Sequence, residues 1–263
     1  MTPKFELTKW YADCISEQGD AAIIYHARLR WRAVTICYES LLICRAKSPT
    51  LTRFSMRRRQ APKVLGERIE WISPEWKVKG TWDELGVRHQ NMLFESDAGA
   101  LEWNCLAPRA RAAVIVGSEL AIEGWGYVEH LRLTVAPWKL PIRRLRWGRF
   151  INATDALVWI DWDGPQKVRV VYLNGVAVAV DDIGDDKIVL ADGPAVLSVH
   201  NKQVVRNGRL GATALSPIPR LKRLFPESVL NIQECKWLSH VVLCRPGSPN
   251  SLGMAIHEVV TWP

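Results

Sequence analysis

The sequence has no long uninterrupted apolar run. No stretch approaches the ~20 consecutive apolar residues that a membrane-spanning helix requires. The first residues, MTPKFELTKWYADC, contain no apolar segment of the kind that a secretory signal peptide carries. The sequence therefore predicts a cytoplasmic protein without integral membrane association.

Motifs that bind cofactors or nucleotides are also missing. The sequence contains no G-x-x-x-x-G-K-[ST], no G-x-G-x-x-G after a predicted strand, no H-E-x-x-H and no G-x-S-x-G. Its cysteines and histidines do not occur at the spacings of zinc sites. We therefore expect neither a metal nor an organic cofactor.

Paired cysteine spacings are absent as well, because the six cysteines are spread over the chain without a C-x-x-C. They are Cys14, Cys37, Cys44, Cys105, Cys235 and Cys244. Several lie within apolar strand segments, where a free cysteine packs like a small hydrophobic side chain. Disulfides are rare in cytosolic proteins, so we expect reduced and mostly buried thiols, with a reactive thiol or a bridge as the alternative.

The charge of the chain is basic but has no clear pattern. The formal net charge is +8, and the basic residues are scattered apart from clusters at residues 57–59 and 143–149. The first cluster is predicted to be a solvated loop, with contact to an acidic partner or a membrane surface as the alternative. Because no stripe of basic residues alternates with aromatic ones, we expect no nucleic-acid partner.

What the sequence does contain is a two-residue alternation of apolar and polar residues, which predicts β-strands. The segments that show it include AAIIYHARLRW, VTICYESLLIC, ALEWNCL, ALVWIDW, KVRVVYLNGVAVAV, KWLSHVVLC and MAIHEVVTW. Turn residues separate these segments, and hydrophobic residues make up 48% of the chain. The pattern indicates an all-β barrel or sandwich. Only SPIPRLKRLFPESVL is predicted to hold a short helix, which we expect to end at Pro226.

A boundary between two domains is indicated near APWKLPIRRLRWGRF. Pro137 and Pro141 interrupt any strand pairing there. The segments ARLRWRAVTICYESLLI and RRLRWGRFINATDALVWI both run from Arg-Leu-Arg-Trp into an apolar strand, which indicates a duplication. We therefore predict two β domains, at residues 1–140 and 141–263. The 13 tryptophans also favour an aromatic-lined cavity.

One predicted strand, GWGYVEHLRLTV, places a carboxylate among apolar residues. With a period of two, Glu129 shares a face with Trp125 and Tyr127 and should point into the interior. An unpaired buried carboxylate is costly, which leaves two interpretations. Glu129 forms a structural ion pair, for which Arg149 is a candidate, or it is a desolvated acid that stays protonated and donates a proton.

Other polar residues also lie within apolar strands. Glu258 shares its parity with the apolar residues of the last strand, and Glu39 lies in a strand that is apolar on both faces. A structural role is the simpler interpretation for Glu258 and for the histidines of the strands. His130 differs from the other histidines because it directly follows Glu129.

At these residues the sequence resembles the carotenoid 1,2-hydratases and their relatives. Those proteins carry a motif of the form G-x-G-Y-x-D-H-N-W-G, followed about twenty residues later by W-G-R. Here GWGYVEH, residues 124–130, is followed by WGR, residues 147–149. Glu129 stands where the family has aspartate, Val128 stands before it, and Leu131, Arg132 and Leu133 replace the family's Asn-Trp-Gly.

The resemblance implies a fold and a class of reaction. The superfamily also includes tocopherol cyclase-like proteins and fungal decalin-forming Diels–Alderases, and its members have two lipocalin-like β-barrel or half-barrel domains. They hydrate, cyclise or isomerise hydrophobic, often isoprenoid or polyene, molecules without a cofactor. Hydration needs a positioned water, whereas acid-assisted cyclisation, or catalysis by shape alone, needs fewer of the polar residues that are replaced here.

The resemblance and the strand pattern together predict a site. Glu129 would be the general acid, and Tyr127 and His130 would orient it or relay its proton. The predicted substrate-binding residues are Trp125, Trp147, Arg149, Glu39 and Glu258. The predicted partner is a hydrophobic small molecule, and the alternative function is a non-catalytic lipocalin-like protein that binds such a ligand.

Overall fold

A computed structural model describes the chain except for residues 1–4, 46–47, 58–59, 119, 192–194, 214, 217–221 and 223–224. The described residues are 67% strand and 3% helix, which confirms the predicted all-β class. Two residues of the basic cluster at 57–59 lie outside the described part. No helix among the described residues is long and apolar enough to cross a membrane.

Contacts divide the chain into two units, Met1–Ala136 and Pro137–Pro263. The second unit begins with a single turn of 3₁₀-helix at Pro137–Lys139. Each unit contains a curled antiparallel sheet, so the lipocalin-like architecture expected from the sequence is confirmed.

The first unit holds ten strands among its described residues, in the order β4-β3-β2-β1-β10-β9-β7-β6-β5, with β8 paired to β9. Their bounds are β1 Phe5–Ser16, β2 Ala21–Trp31, β3 Val34–Cys44, β4 Leu51–Ser55, β5 Lys63–Leu65, β6 Arg68–Ser73, β7 Val78–Glu84, β8 His89–Ser96, β9 Gly99–Val116 and β10 Leu120–Leu133. All of the pairings are antiparallel, and most join strands that are consecutive in the chain.

The two faces of β1 and β10 are both buried, and only one of them forms the apolar core of the first unit. Ala12 and Val128 belong to that core, together with Trp71 and Trp82 of β6 and β7. Glu129 lies on the opposite face and is also buried. The sequence therefore predicted correctly that Glu129 is buried, but not that it lies on the face away from the apolar core. When both faces of a strand are buried, the sequence pattern does not show which face packs against the core.

The second unit holds nine strands among its described residues, in the order β14-β13-β12-β11-β19-β18-β17-β16-β15. Their bounds are β11 Arg144–Ile151, β12 Ala156–Asp163, β13 Val168–Leu173, β14 Val176–Ala177, β15 Val180–Ile183, β16 Lys187–Leu190, β17 Val196–Arg209, β18 Gln233–Cys244 and β19 Ser251–Thr261. The core of this unit includes Phe150, Trp159, Leu197 and Ala255.

A short α-helix, α1 (Glu227–Leu230), begins directly after Pro226. Lys222, which precedes this proline, is also helical, so the predicted helix that ends at Pro226 stays a prediction. Proline has no N–H to donate and its φ suits the start of a helix, so it is tolerated at this end. The predicted helical residues 217–221 and 223–224 lie outside the described part of the chain.

All six cysteines are free thiols, and the four in the first unit are buried. Titration with a thiol reagent under denaturing, non-reducing conditions should therefore find six reactive thiols per chain. The same titration without denaturant should find fewer, because buried thiols are protected. Recovery of only four thiols after denaturation would show a disulfide and contradict this expectation.

Candidate functional site

Pairing of three strands places Glu129 in the middle of the first sheet. In β10, Glu129 lies opposite Tyr11 of β1 and opposite Cys105 of β9. Residues directly opposite each other in a sheet share a face, so these three side chains lie on the face away from the apolar core. Only 5% of Glu129 is exposed. The pairing of β10 with β9 shifts register on both sides of Val128.

Two uncharged donors converge on one oxygen of the Glu129 carboxyl group. The Tyr127 hydroxyl donates to Glu129 Oε2 at 2.8 Å, and the indole Nε1 of Trp103 donates to the same atom at 2.6 Å. An oxygen that accepts two hydrogen bonds has little capacity to hold a proton as well.

The groups beside Glu129 are held in their uncharged forms. Burial is the largest cause that raises the pKa of Tyr127 well above its ordinary value. Burial also raises the pKa of the Cys105 thiol, despite a hydrogen bond with Tyr127 that lowers it. Tyr127 therefore acts as a neutral donor, and Cys105 has no thiolate character.

Aromatic rings continue along the same face. The Tyr11 ring centroid lies 5.3 Å from that of Tyr25 and 6.0 Å from that of Tyr127. The Tyr11 hydroxyl donates to Asp13 Oδ2 at 2.9 Å, and Asp13 is fully buried. The face thus combines two buried carboxyl groups with aromatic rings, whose electron-rich faces attract cations.

His130 lies on the other face of β10, because successive side chains of a strand alternate. It is opposite Trp10 in the register, and the two ring centroids are 4.8 Å apart. Burial is the largest cause that lowers the pKa of His130. The structure therefore brings Tyr127 to Glu129 but leaves His130 with Trp10.

Glu39 also lies on the core side of the sheet, with Leu41 two residues further along β3. His26 Nδ1 lies 3.0 Å from Glu39 Oε1, and both side chains are buried. Glu39 Oε2 is buried and has no hydrogen-bond partner among the described residues. Glu39 is therefore held by His26, on the face opposite to Glu129.

Trp125 is half-buried and lies under the guanidinium group of Arg111, whose Cζ is 3.7 Å from the ring centroid. This cation–π contact occupies one face of the indole ring. Three of the pockets on the described part of the chain are lined by residues other than Glu129, Tyr127 and Trp125. An aromatic cavity around Glu129 stays a prediction.

The predicted site residues of the second unit lie on one face of its sheet. Glu258 lies opposite Trp147 and opposite Lys236, so the three share a face. Lys236 is 1% exposed, forms an ion pair with Glu258 and lies 4.9 Å from the Trp147 ring. Arg149 is fully buried, and its Nη1 donates to the Met254 carbonyl at 3.5 Å.

A second buried pair lies on the other face of this sheet. The Ser239 hydroxyl is 2.9 Å from His257 Nε2, and the His257 ring stacks on Trp237 at 5.2 Å. Burial, followed by the charges of Lys202 and Lys236, lowers the pKa of His257 to about 4. His257 is therefore neutral near pH 7.

The glycines of the sequence motifs have a packing role. A Cβ at Gly126 would lie 2.5 Å from the Asp13 carbonyl oxygen and 2.7 Å from the Trp82 ring. A Cβ at Gly148 would lie 2.7 Å from the Cβ of His257. Such distances are too short for carbon, so both strands need glycine where a neighbour approaches closely.

Gly126→Ala should therefore destabilise the fold by about 1–3 kcal/mol, the usual effect of overpacking a core. It also crowds the hydrogen bond of 2.7 Å that Trp82 Nε1 donates to Asp13. Denaturant unfolding would measure the change. Gly184→Ala is the control, because its Cβ would have its nearest neighbour at 3.3 Å. Equal stability of the two variants would contradict the packing role.

Trp103 and Lys236 were not predicted as site residues. Trp103 and Cys105 share one parity in ALEWNCL, but only the register with β10 shows that Trp103 reaches Glu129. Lys236 stands next to Trp237 in an apolar strand, and a charged residue in such a strand was the feature that could have indicated a site residue. No group of three or more His, Cys, Asp or Glu residues in the described ranges is arranged to hold a metal ion.

Comparison with known proteins finds similar structures but no similar sequences. No protein-family model matches the sequence, and no curated protein matches it significantly. Kievitone hydratase from Nectria haematococca is similar in structure, with a TM-score of 0.57 and 10% identity over 97% of this chain and 88% of that one. CghA, solved alone and with Sch210972, has the same TM-score and coverage at 12% and 10% identity.

At this level of identity the likeness establishes the fold. The chain has the lipocalin-like fold that the resemblance to the carotenoid hydratase, tocopherol cyclase-like and Diels–Alderase superfamily implied, and that expectation is confirmed.

Proposed function

We propose that the chain is a cofactor-free lyase or isomerase of the hydratase or cyclase type that acts on a hydrophobic, isoprenoid or polyene small molecule. The observation that carries the proposal is the buried Glu129 carboxyl group, whose Oε2 accepts hydrogen bonds from Tyr127 and Trp103. The hydratase name of one structure with the same fold supports the reaction class.

Glu129 is the general acid of the proposed reaction. As the acid it would donate a proton to an alkene carbon or to a carbonyl oxygen of the substrate. The two hydrogen bonds to Oε2 hold the carboxyl plane in one orientation, so Oε1 also keeps its position. After transfer the same two donors stabilise the carboxylate.

The aromatic face stabilises the cation that protonation of an alkene creates. The rings of Tyr11, Tyr25 and Tyr127 lie on the face of Glu129, and the carboxyl group of Asp13 lies on the same face. In cyclisation or isomerisation the substrate then loses a proton, which returns to Glu129. In hydration a water molecule adds its oxygen to the cation and loses one of its own protons to the Glu129 carboxylate. No other reactant is needed.

Most of the other predicted residues keep their proposed roles in substrate binding. Trp125 and Trp147 offer aromatic surface, and Arg149 and Glu258 offer charge, whereas Glu39 lies on the opposite face of the sheet from Glu129 and is paired with His26. The predicted relay role of His130 has no part in this mechanism, because its ring lies on the other face of β10 against Trp10.

Reaction in D₂O tests the proposal directly. The purified chain is incubated with a panel of isoprenoid and polyene alcohols, ketones and phenols, and the products are analysed by mass spectrometry. We expect a product that carries deuterium at a carbon of the former double bond, formed equally well in the presence of EDTA. Ligands that bind but are recovered unchanged would instead favour the non-catalytic binding protein.

A further inference from the structure

A pocket of about 320 Å³ lies at one end of the first sheet, between β3, β4 and the hairpin that joins β9 to β10. Its apolar lining comes from five aliphatic side chains, which are Leu41, Ile43, Leu51, Val116 and Leu120. Two guanidinium groups complete it, those of Arg45 and Arg53. Pockets of about 300 Å³ or more are large enough for small organic ligands.

The floor of this pocket is the end of the apolar core. Leu41 and Ile43 belong to the core of the first unit, and Val116 and Leu120 pack against it. Glu129 lies on the opposite face of the sheet from this core. The pocket is therefore separate from the carboxyl cluster that carries the proposed reaction.

Strand pairing places a positive charge on the apolar face. Arg53 lies directly opposite Leu41, and Leu51 lies directly opposite Ile43. Opposite residues share a face, so the Arg53 side chain projects along the same side as a leucine that is 1% exposed. Within the described part of the chain, Arg53 has neither an ion pair nor a side-chain hydrogen bond.

We propose that this pocket binds a medium-chain aliphatic carboxylate. The alkyl chain contacts the aliphatic side chains, and the carboxylate binds the guanidinium groups of Arg53 and Arg45. A planar guanidinium group suits a carboxylate because it offers two parallel donors. At roughly 30 Å³ for each water-sized group, the pocket holds about ten such groups, which fits a chain of medium length.

Calorimetric titration of the full chain with sodium octanoate tests the proposal. We expect saturable binding with a stoichiometry of one. Octan-1-ol, which has the same chain without the charge, should bind at least about tenfold more weakly, because it loses a charge-assisted hydrogen bond. Octylamine should not bind. Octanol that binds as tightly as octanoate would show that the arginines take no part and would overturn the proposal.

Two variants locate the binding in this pocket. Arg53→Met keeps the apolar stem and should weaken octanoate binding by about tenfold to a hundredfold. Arg28→Met is the matched control, because Arg28 is an exposed strand arginine of the same unit that does not line the pocket. Leu51→Asp should abolish binding, and it should fold normally because Leu51 is 53% exposed.

Three results would overturn the proposal. The first is the absence of saturable octanoate binding by the unsubstituted chain, and the second is equal affinity in the Arg53→Met and Arg28→Met variants. The third is binding only to vesicles that contain phosphatidylglycerol, which would make the arginines a contact for a lipid surface. Unchanged melting temperatures of the variants ensure that a loss of binding is not a loss of fold.

Discussion

Replacing Glu129 with glutamine should lower turnover by about 10²–10⁴-fold, the usual contribution of a general acid or base. Glutamine has the same shape and keeps a carbonyl oxygen that can accept from Tyr127 and Trp103, but it has no acidic proton. The fold should therefore be retained while the proton transfer is lost. Initial rates on any substrate identified by deuterium incorporation would measure the effect.

The control for this prediction is Glu123→Gln, because Glu123 is an exposed glutamate of the same strand. It should leave both turnover and melting temperature unchanged. A large loss of stability in the Glu129→Gln variant would support the structural interpretation. If Glu129 were mainly one half of a buried ion pair, its loss should destabilise the fold by about 3–5 kcal/mol. Full activity of the Glu129→Gln variant would contradict the proposed mechanism.

Acidification should destabilise the second unit through His257. The pKa of this histidine is about 4 in the folded chain, against an ordinary value of 6.5. The unfolded state therefore binds the proton more readily, so stability is complete above pH 6.5 and is lost as the pH falls towards 4. The difference in pKa corresponds to roughly 3 kcal/mol of unfolding free energy.

Denaturant unfolding at pH 7 and pH 4.5 would measure this loss. His257→Gln has an amide that can keep the contact with Ser239 and cannot take up the proton, so it should lose less stability on acidification than the unsubstituted chain. His200→Gln serves as the control, because His200 is exposed on β17. It should retain the full acid sensitivity. Equal acid sensitivity of the His257→Gln variant and the unsubstituted chain would show that His257 is not the group that causes the loss of stability.

The candidate site was predictable from the sequence only along a single strand. The parity of GWGYVEH correctly placed Tyr127 beside Glu129, because the alternation of side chains is a local property of strands. The same rule separates His130 from Glu129, so adjacency in the sequence was a poor guide to contact. Trp103 was missed because it lies 26 residues away and meets Glu129 only through the pairing of β9 with β10.

The glycines of the motif are a second feature whose reason lies in the tertiary structure and not in the sequence. The sequence shows that Gly124 and Gly126 flank a tryptophan, but not why they are glycines. The reason is the close approach of another strand, in which the Asp13 carbonyl and the Trp82 ring occupy the space of a Cβ at Gly126. Such a constraint depends on β1 and β7, which are distant in the chain.

The sequence by itself determined the all-β class, because a period of two and the turn residues act within a few residues of each other. It also determined that Glu129 is buried, since apolar residues surround it on its strand. Only the tertiary structure decided that Val128, and not Glu129, faces the apolar core. Both faces of β10 are buried, so the pattern of one strand is equally compatible with either choice. The choice depends on strand register and on the direction in which the sheet curls, and both are set by pairings between distant segments.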